Sequence, residues 1–489
     1  MTFARGFVAS VLLAAVAFSA TRHTSLEARI AKLIAASPVL ERGHIGYKFV
    51  DVETGRVIAD HEAAAFFTPA SNTKLYTTAL ALTRLGPAYT FKTQLTTTMV
   101  WTPGQTILRD LQIVGGGDPN LSGRILPYDV KAKPGDALTA LRQLAGKLAD
   151  AGIKEITGDV TGVATRYSGD PYPDGWTIDD SIYDYGAPIS ALTFNDNAVT
   201  VKLTPGEIGD IAELATTPVN TPLLFLNQVT TSPGGETQVH VGRAPGSNEV
   251  VLTGNIGAAA IPWQQDLAVL DPARWTAATL IDALRDCGIT VRGEPRSQYE
   301  GPPTAGTVVA VHESAPLAQT LTVVNKVSQN LHAEMFLREV GFVSQGSGTL
   351  RAGVEERTKF LQELGITQDL TGLALQDGSG LARQDLTTPD STVALLRAMW
   401  QRPERDVWLA SLPIGGVDGS LEHRFKNIPG AERIHAKTGS LSHVNALSGY
   451  IETRQHGWVA FSVMINATEG HSADVHTFID RLCALFLSI

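Results

Sequence analysis

Hydrophobic positions along the chain follow recognisable periods at both ends. Ser25 to Ala36 (SLEARIAKLIAA) places Leu26, Ile30, Leu33 and Ile34 at helical spacing, which predicts an amphipathic helix. The next run, IGYKFVDVETGRVIADH, reads as two extended segments around the turn residues Glu53-Thr54-Gly55. Phe66 to Ser71 then forms a loop, and a helical stretch from about Asn72 to Leu85 places a serine at a helix start. Near the other end, a strand begins at His435. Two more, Val444 to Ile451 and Trp458 to Asn466, flank the polar turn Glu452 to His456, and a last helix runs from about Ala473 to Phe486. Strands from both ends predict one antiparallel sheet flanked by the terminal helices, an α+β fold.

The middle carries an internal echo. Leu148 to Ile153 ends a helix at Gly152, with a strand from about Glu155 and Gly158 just after it. Leu284 to Ile289 ends another at Gly288, with Gly293 in the matching place, 136 residues further on. Between them, about 166–265 is rich in Gly, Pro, Thr and Asn and holds short alternating runs such as Ala198 to Leu203, which predicts mostly strands. The expected organisation is a leader over 1–20 and a catalytic domain from 21–90 plus 308–489. An inserted α/β domain would take 91–165 plus 266–307, with a mostly-β domain nested inside it at 166–265.

Composition narrows the class. The 489 residues are 43% hydrophobic and 18% charged, which excludes a disordered or fibrous chain. Lys and Arg number 39 against 49 Asp and Glu, and no basic stripe appears, so nucleic acid is not an expected partner. Met1 to Arg5 carries one positive charge before the apolar run Phe7 to Phe18, and small residues at Ala15, Ala17 and Ser19 offer cleavage sites. This is the pattern of an export signal, too short to span a bilayer, and no cysteine follows it for a lipid anchor. The expected location is secreted: periplasmic or otherwise extracytoplasmic, with no transmembrane anchor in the mature chain. Cys287 and Cys483 have no metal-ligand spacing and could form one disulfide or none.

Three short motifs carry chemistry: Ser71-Asn72-Thr73-Lys74, Ser328-Gln329-Asn330 and Lys437-Thr438-Gly439. Each has an ordinary structural reading: Ser71 as a helix N-cap, Lys74 and Asn330 as solvated helix residues, Lys437 as an edge-strand lysine. Together they make a catalytic set. Residues i and i+3 share a helix face, so Lys74 reaches the Ser71 hydroxyl. A serine is a weak nucleophile until a base takes its proton, and a lysine is a base only when neutral. Burial and a second cation, Lys437, are expected to lower the Lys74 pKa. Ser328 would relay a proton to the leaving group, while Asn330 holds Lys74 and the substrate amide. The Lys437 strand would accept an extended peptide as an added edge, with Lys437 and Thr438 meeting a carboxylate. Gly439 would let substrate approach closely, and the N–H groups of Ser71 and Ser440 would form an oxyanion hole. No metal or other cofactor is implied, since no HExxH or His/Cys cluster is present.

Taken in this order, the motifs resemble those of the class C low-molecular-mass penicillin-binding proteins, secreted D-alanyl-D-alanine carboxypeptidase/endopeptidases. The likeness extends to Gly115-Gly116-Gly117-Asp118-Pro119-Asn120-Leu121, to Asp377-Gly378-Ser379-Gly380-Leu381-Ala382-Arg383 and to Leu412 to Leu421 (LPIGGVDGSL). Ser328 to Glu334 (SQNLHAE) is similar to the family's SDNLxAE, with Gln329 where Asp is usual; the backbone rather than the side chain is expected to matter there. Ala382 replaces a usual serine. The resemblance implies a β-lactamase/transpeptidase-like domain, with two further domains inserted between the first and second motifs. Ser71 and Ser328 lie 257 residues apart, the separation such insertions would produce. It also implies peptidoglycan stem peptides as substrates and β-lactam antibiotics as covalent inhibitors. Trp176, Asp180 and Tyr185 resemble the segment that meets a diaminopimelate side chain, with Asp180 for its ammonium and Arg383 for its carboxylate. Two other readings are a serine β-lactamase, which needs a deacylating base that no segment convincingly supplies, and a non-catalytic wall-binding scaffold, which has no need of a nucleophile with its base.

Overall fold

The computed structural model describes residues 25–302, 306–366 and 373–489. The expected leader, 1–20, lies outside the described residues. Both ends of the chain meet in one five-stranded antiparallel sheet, in the order Ile434–Leu441, Val444–Glu452, Trp458–Asn466, His44–Asp51, Val57–His61. Two of the three interior strands, VNALSGYIE and WVAFSVMIN, are buried along nearly their whole length, because helices cover both faces. On one face Leu26–Ala35 and Ser472–Leu487 pack with Phe49, Phe461 and Phe486. Ser25 caps the first of these helices by accepting the Ala28 N–H. On the other face Thr73–Leu85, Asn330–Gln345, Leu350–Glu363 and Pro389–Trp400 pack with Tyr76, Phe336, Trp400 and Tyr450. The expected α+β sheet is formed, and its edge strand is the one that carries Lys437-Thr438-Gly439.

The two echoed units lie side by side. Thr139–Asp150 and Pro272–Asp286 each end at a glycine in the left-handed region, Gly152 at φ +88° and Gly288 at φ +78°. The strands that follow pair in parallel, Thr290 with Glu155 and Val291 with Ile156. A Cβ on Gly293 would overlap the Gly158 carbonyl carbon at 2.3 Å, so the matching glycines permit the contact between the two units. Between them the chain forms two small sheets, one from Trp263–Ala268, Ala198–Thr204 and Glu213–Thr217, the other from Leu224–Asn227, Thr230–Ser232, Gln238–Gly242 and Glu249–Gly257.

Two boundaries differ from the sequence expectation. Thr307–Glu313 pairs antiparallel with Lys92–Thr97, so residues from 308 to 313 complete the inserted five-stranded sheet and do not open the catalytic part. Trp263–Ala268 pairs with Ala198–Thr204 beyond position 265. Backbone pairing across 200 residues leaves no local mark in composition. Cys287 and Cys483 are both free, and no helix among the described residues is long and apolar enough to cross a membrane.

Candidate active site

Pro69–Asn72 makes a tight turn into the helix Thr73–Leu85, with Ala70 held at φ +48°. Ser71 does not cap this helix. Its Oγ lies 2.8 Å from the Nζ of Lys74 one turn on. Lys74 is fully buried, and its Nζ also meets Asn330 Oδ1 at 2.6 Å and the Ser379 carbonyl at 2.7 Å. The last two partners are acceptors only, and a neutral amine has two N–H groups and one lone pair. In the neutral amine both N–H groups go to Asn330 and Ser379 and the lone pair is left for the Ser71 hydroxyl, whereas in the ammonium a third N–H donates to Ser71 Oγ. Burial is the largest influence on Lys74 and brings its pKa down to about 7, against the opposing charges of Asp377, Glu334 and Asp385.

Asn330 opens the helix Asn330–Gln345. Its Nδ2 donates to the Tyr185 carbonyl at 2.8 Å, which turns Oδ1 toward Lys74. Ser328 stands just before it at φ +63°, a strained backbone for a serine, and its Oγ accepts from Lys437 Nζ at 2.8 Å. Gln329 caps the helix, accepting the Leu331 N–H at 2.8 Å, so its longer amide does local structural work. Lys437 is fully buried and also donates to the Thr438 carbonyl at 2.9 Å. Burial and then the neighbouring Lys74 hold its pKa well below the usual lysine range. The repulsion between the two amines opposes a charge on either, and on the Lys74 side the carboxylates of Asp377, Glu334 and Asp385 work against it. The solvated-helix readings of Lys74 and Asn330, and the edge-lysine reading of Lys437, do not describe these residues.

The remaining wall is the loop Asp377 to Arg383. Asp377 accepts the N–H groups of Gly380 and Ala382, at 2.7 and 2.9 Å, and the indole N–H of Trp176 at 2.9 Å. Ala382 is fully buried there. The carbonyl that this loop offers to Lys74 escaped sequence reasoning; the only signal was the run Asp-Gly-Ser-Gly itself. Gly380, at φ +79°, would bring a Cβ within 1.9 Å of the Ala70 carbonyl oxygen. Gly380→Ala is therefore expected to cost about 2 kcal/mol or more in stability. It should also slow reaction at Ser71 at least about tenfold by displacing the serine turn; thermal melting and a rate of serine modification check both.

The structure also places the residues expected to meet substrate. Thr438 Oγ1 donates to Ser420 Oγ at 2.8 Å, and Ser440 is exposed one residue past Gly439. A Cβ on Gly439 would meet the Pro69 carbonyl oxygen at 2.5 Å and Asn72 at 3.1 Å. The serine turn thus makes a close approach at this glycine. Tyr185 is exposed and stacks on Tyr183. Asp180 accepts the Thr177 N–H at 2.9 Å, and Arg383 is exposed, donating to the Ser442 carbonyl at 3.3 Å. Gly175 abuts Ala382 and Gln384, so the segment bearing Trp176 and Asp180 lies against the loop bearing Arg383.

A serine hydroxyl 2.8 Å from a buried lysine amine with a lowered pKa, beside an edge strand, is the arrangement that serine-lysine acyl transfer requires. Residues 26–485 match the D-Ala-D-Ala carboxypeptidase 3 (S13) family. The chain is 33% identical over 470 residues to the D-alanyl-D-alanine carboxypeptidase of Actinomadura sp. (strain R39), covering 93% of this chain and 82% of that protein. It is 27% identical to D-alanyl-D-alanine carboxypeptidase DacB of Haemophilus influenzae, over 87% of this chain and 86% of the relative. The crystal structure of penicillin binding protein 4 (dacB) from Haemophilus influenzae superposes with a TM-score of 0.81 at 25% identity, over 94% of this chain and 99% of that one. The protein belongs to the D-Ala-D-Ala carboxypeptidase 3 (S13) family and is a serine peptidase with the α+β, transpeptidase-like fold.

Proposed function

We propose that the protein is an exported D-Ala-D-Ala carboxypeptidase and DD-endopeptidase that works through an acyl-enzyme on Ser71. The observation that carries this reading is the place of Lys74 Nζ against Asn330, Ser379 and Ser71: with the first two taking its N–H groups, the neutral amine has its lone pair for the Ser71 proton. Ser71 Oγ attacks the carbonyl carbon of the penultimate D-Ala and Lys74 takes its proton. The Ser71 and Ser440 N–H groups hold the oxyanion. As the C–N bond breaks, the proton taken by Lys74 is relayed through the Ser328 hydroxyl, supported by Lys437, to the leaving amine, which returns Lys74 to its neutral form. A water then hydrolyses the ester with Lys74 again as base. Lys437 and Thr438 meet the carboxylate of the departing residue, either a free D-Ala or the D-centre of a cross-linking diaminopimelate. Asp180, Tyr185 and Arg383 recognise the amino and carboxylate end of the third residue's side chain. In domain terms, the segments that build the two-faced sheet carry the chemistry, and the inserted segments add Asp180 and Tyr185 to Arg383 for side-chain recognition. β-Lactams open on Ser71 and leave a blocked ester.

Intact mass with and without benzylpenicillin tests the reading. Wild type is expected to gain one penicilloyl group that persists for minutes, and Ser71→Ala none. A quickly lost adduct would favour a β-lactamase, and no adduct in either protein would remove the mechanism. Release of D-Ala from a D-Ala-D-Ala peptide, and cleavage of a cross-linked muropeptide, separate the two peptidase activities.

A further inference from the structure

Glu334 closes the Ser328 to Glu334 motif yet takes no part in that chemistry. It lies one helical turn past Asn330, is fully buried, and points at the Asp377 to Arg383 loop. Its Oε1 accepts the N–H groups of Gly378 and Ser379, each at 2.8 Å, and its Oε2 accepts from Arg338 at 3.4 Å. With Gly380 N–H on Asp377 Oδ1, three consecutive peptide N–H groups end on carboxylate oxygens. The carbonyls on the opposite side are held as well: Asp377 O accepts from Arg357 at 2.5 Å and Gly378 O from Thr77 Oγ1 at 2.7 Å. The next carbonyl, Ser379 O, is the one that meets Lys74.

We infer that Glu334 is a positioning residue for the base: it aims the Ser379 carbonyl at Lys74 and places a carboxylate behind the amine, so that it sets the pH range over which Ser71 can be acylated. This rests on the acyl-enzyme reading. The charged groups around Glu334 come from every packed element. Lys74 faces it from the serine helix, Asp377 from the loop, Arg338 from its own helix and Arg357 from Leu350–Glu363. Asp385 acts on Lys74 from beyond the loop, and Lys437 faces Lys74 from the edge strand. Burial, and then Asp377, raise the Glu334 carboxyl to about 7, against Arg338 and the amides that favour its ionised form. An ionised Glu334 stabilises the Lys74 ammonium, so removing its charge lets Lys74 lose its proton at lower pH.

The test is the second-order rate of penicilloyl transfer to Ser71, followed by intact mass from about pH 5 to 9, a span that covers the Lys74 titration, for wild type, Glu334→Gln and Glu334→Ala. Glutamine keeps an Oε1 acceptor for both amides and removes the charge. Its alkaline plateau should stay within about threefold of wild type, and its acid limb should move to lower pH by about half to one unit. Alanine leaves both amides unheld, and its plateau should fall about 30- to 100-fold in protein whose far-UV circular dichroism is unchanged. A Glu334→Gln profile that superimposes on wild type would overturn the inference, because a purely structural glutamate predicts that result. No adduct in wild type at any pH would instead remove the acyl-enzyme reading, and this inference with it.

Discussion

Lys74→Met is expected to slow penicilloyl transfer to Ser71 by about 10³- to 10⁴-fold while the protein stays folded. Methionine keeps most of the side-chain volume, and a buried amine that no longer has to be dehydrated offsets the partners it leaves behind. Those partners are Asn330 Oδ1 and Ser379 O, each of which would lose a donor at a cost of about 1–3 kcal/mol. The pH profile supplies a second reading of the same substitution. Lys74 is held near 7, chiefly by burial, and only its neutral form has a lone pair for the Ser71 proton. The wild-type rate should therefore rise with unit slope up to about pH 7 and level off above it. In Lys74→Met that limb should vanish, because the titrating base is gone. A variant that reacts within tenfold of wild type, or that keeps the limb, would show that another group takes the proton.

The side chains of this site were legible in the sequence because each lies at a fixed offset within a short motif, and chain order did the rest. Ser71 and Lys74 meet through one helical turn. Lys437 reaches Ser328 because the edge strand runs beside the start of the Asn330–Gln345 helix. The sheet was equally legible, since its long apolar strands are bounded by turn residues. What stayed hidden are contributions made by the backbone. The Ser379 and Tyr185 carbonyls complete the surroundings of Lys74 and Asn330, and a peptide oxygen carries no residue identity. Their place depends on groups such as Glu334, Asp377 and Trp176, whose reach across the fold no local pattern records. The same holds for Thr307–Glu313, whose partner strand lies more than 200 residues earlier. The three carboxylates that oppose the loss of the Lys74 proton were hidden for a related reason: Glu334, Asp377 and Asp385 come from distant parts of the chain.

Glu339→Ala is expected to destabilise the protein by about 3–5 kcal/mol, the cost of stripping the partner from buried charge and hydrogen-bond donors. Glu339 is fully buried on the Asn330–Gln345 helix and receives four hydrogen bonds. Arg166 donates through Nε at 2.8 Å and Nη2 at 2.6 Å, Tyr167 donates its hydroxyl at 2.9 Å, and Tyr89 donates a fourth. The Arg166 guanidinium also lies over the Phe342 ring of the same helix, at 3.8 Å. Gly117 makes room for the cluster, since a Cβ there would sit 2.2 Å from the Tyr167 hydroxyl. One carboxylate thus joins the chain near 89, the inserted segment at 166–167 and the helix that begins with Asn330. Glu339→Gln keeps the shape but turns an N–H group toward these donors, so its loss should be smaller, about 1–3 kcal/mol. Urea unfolding should rank wild type above Glu339→Gln and Glu339→Ala last. Glu339 is nine residues past Asn330, about 13 Å along the helix, so folded Glu339→Gln should acylate Ser71 at close to the wild-type rate. An alanine variant within about 1 kcal/mol of wild type would mean that the inserted segment is held by its apolar contacts alone. Slow acylation by fully folded Glu339→Gln would mean instead that this tie also sets Asn330, through the helix they share.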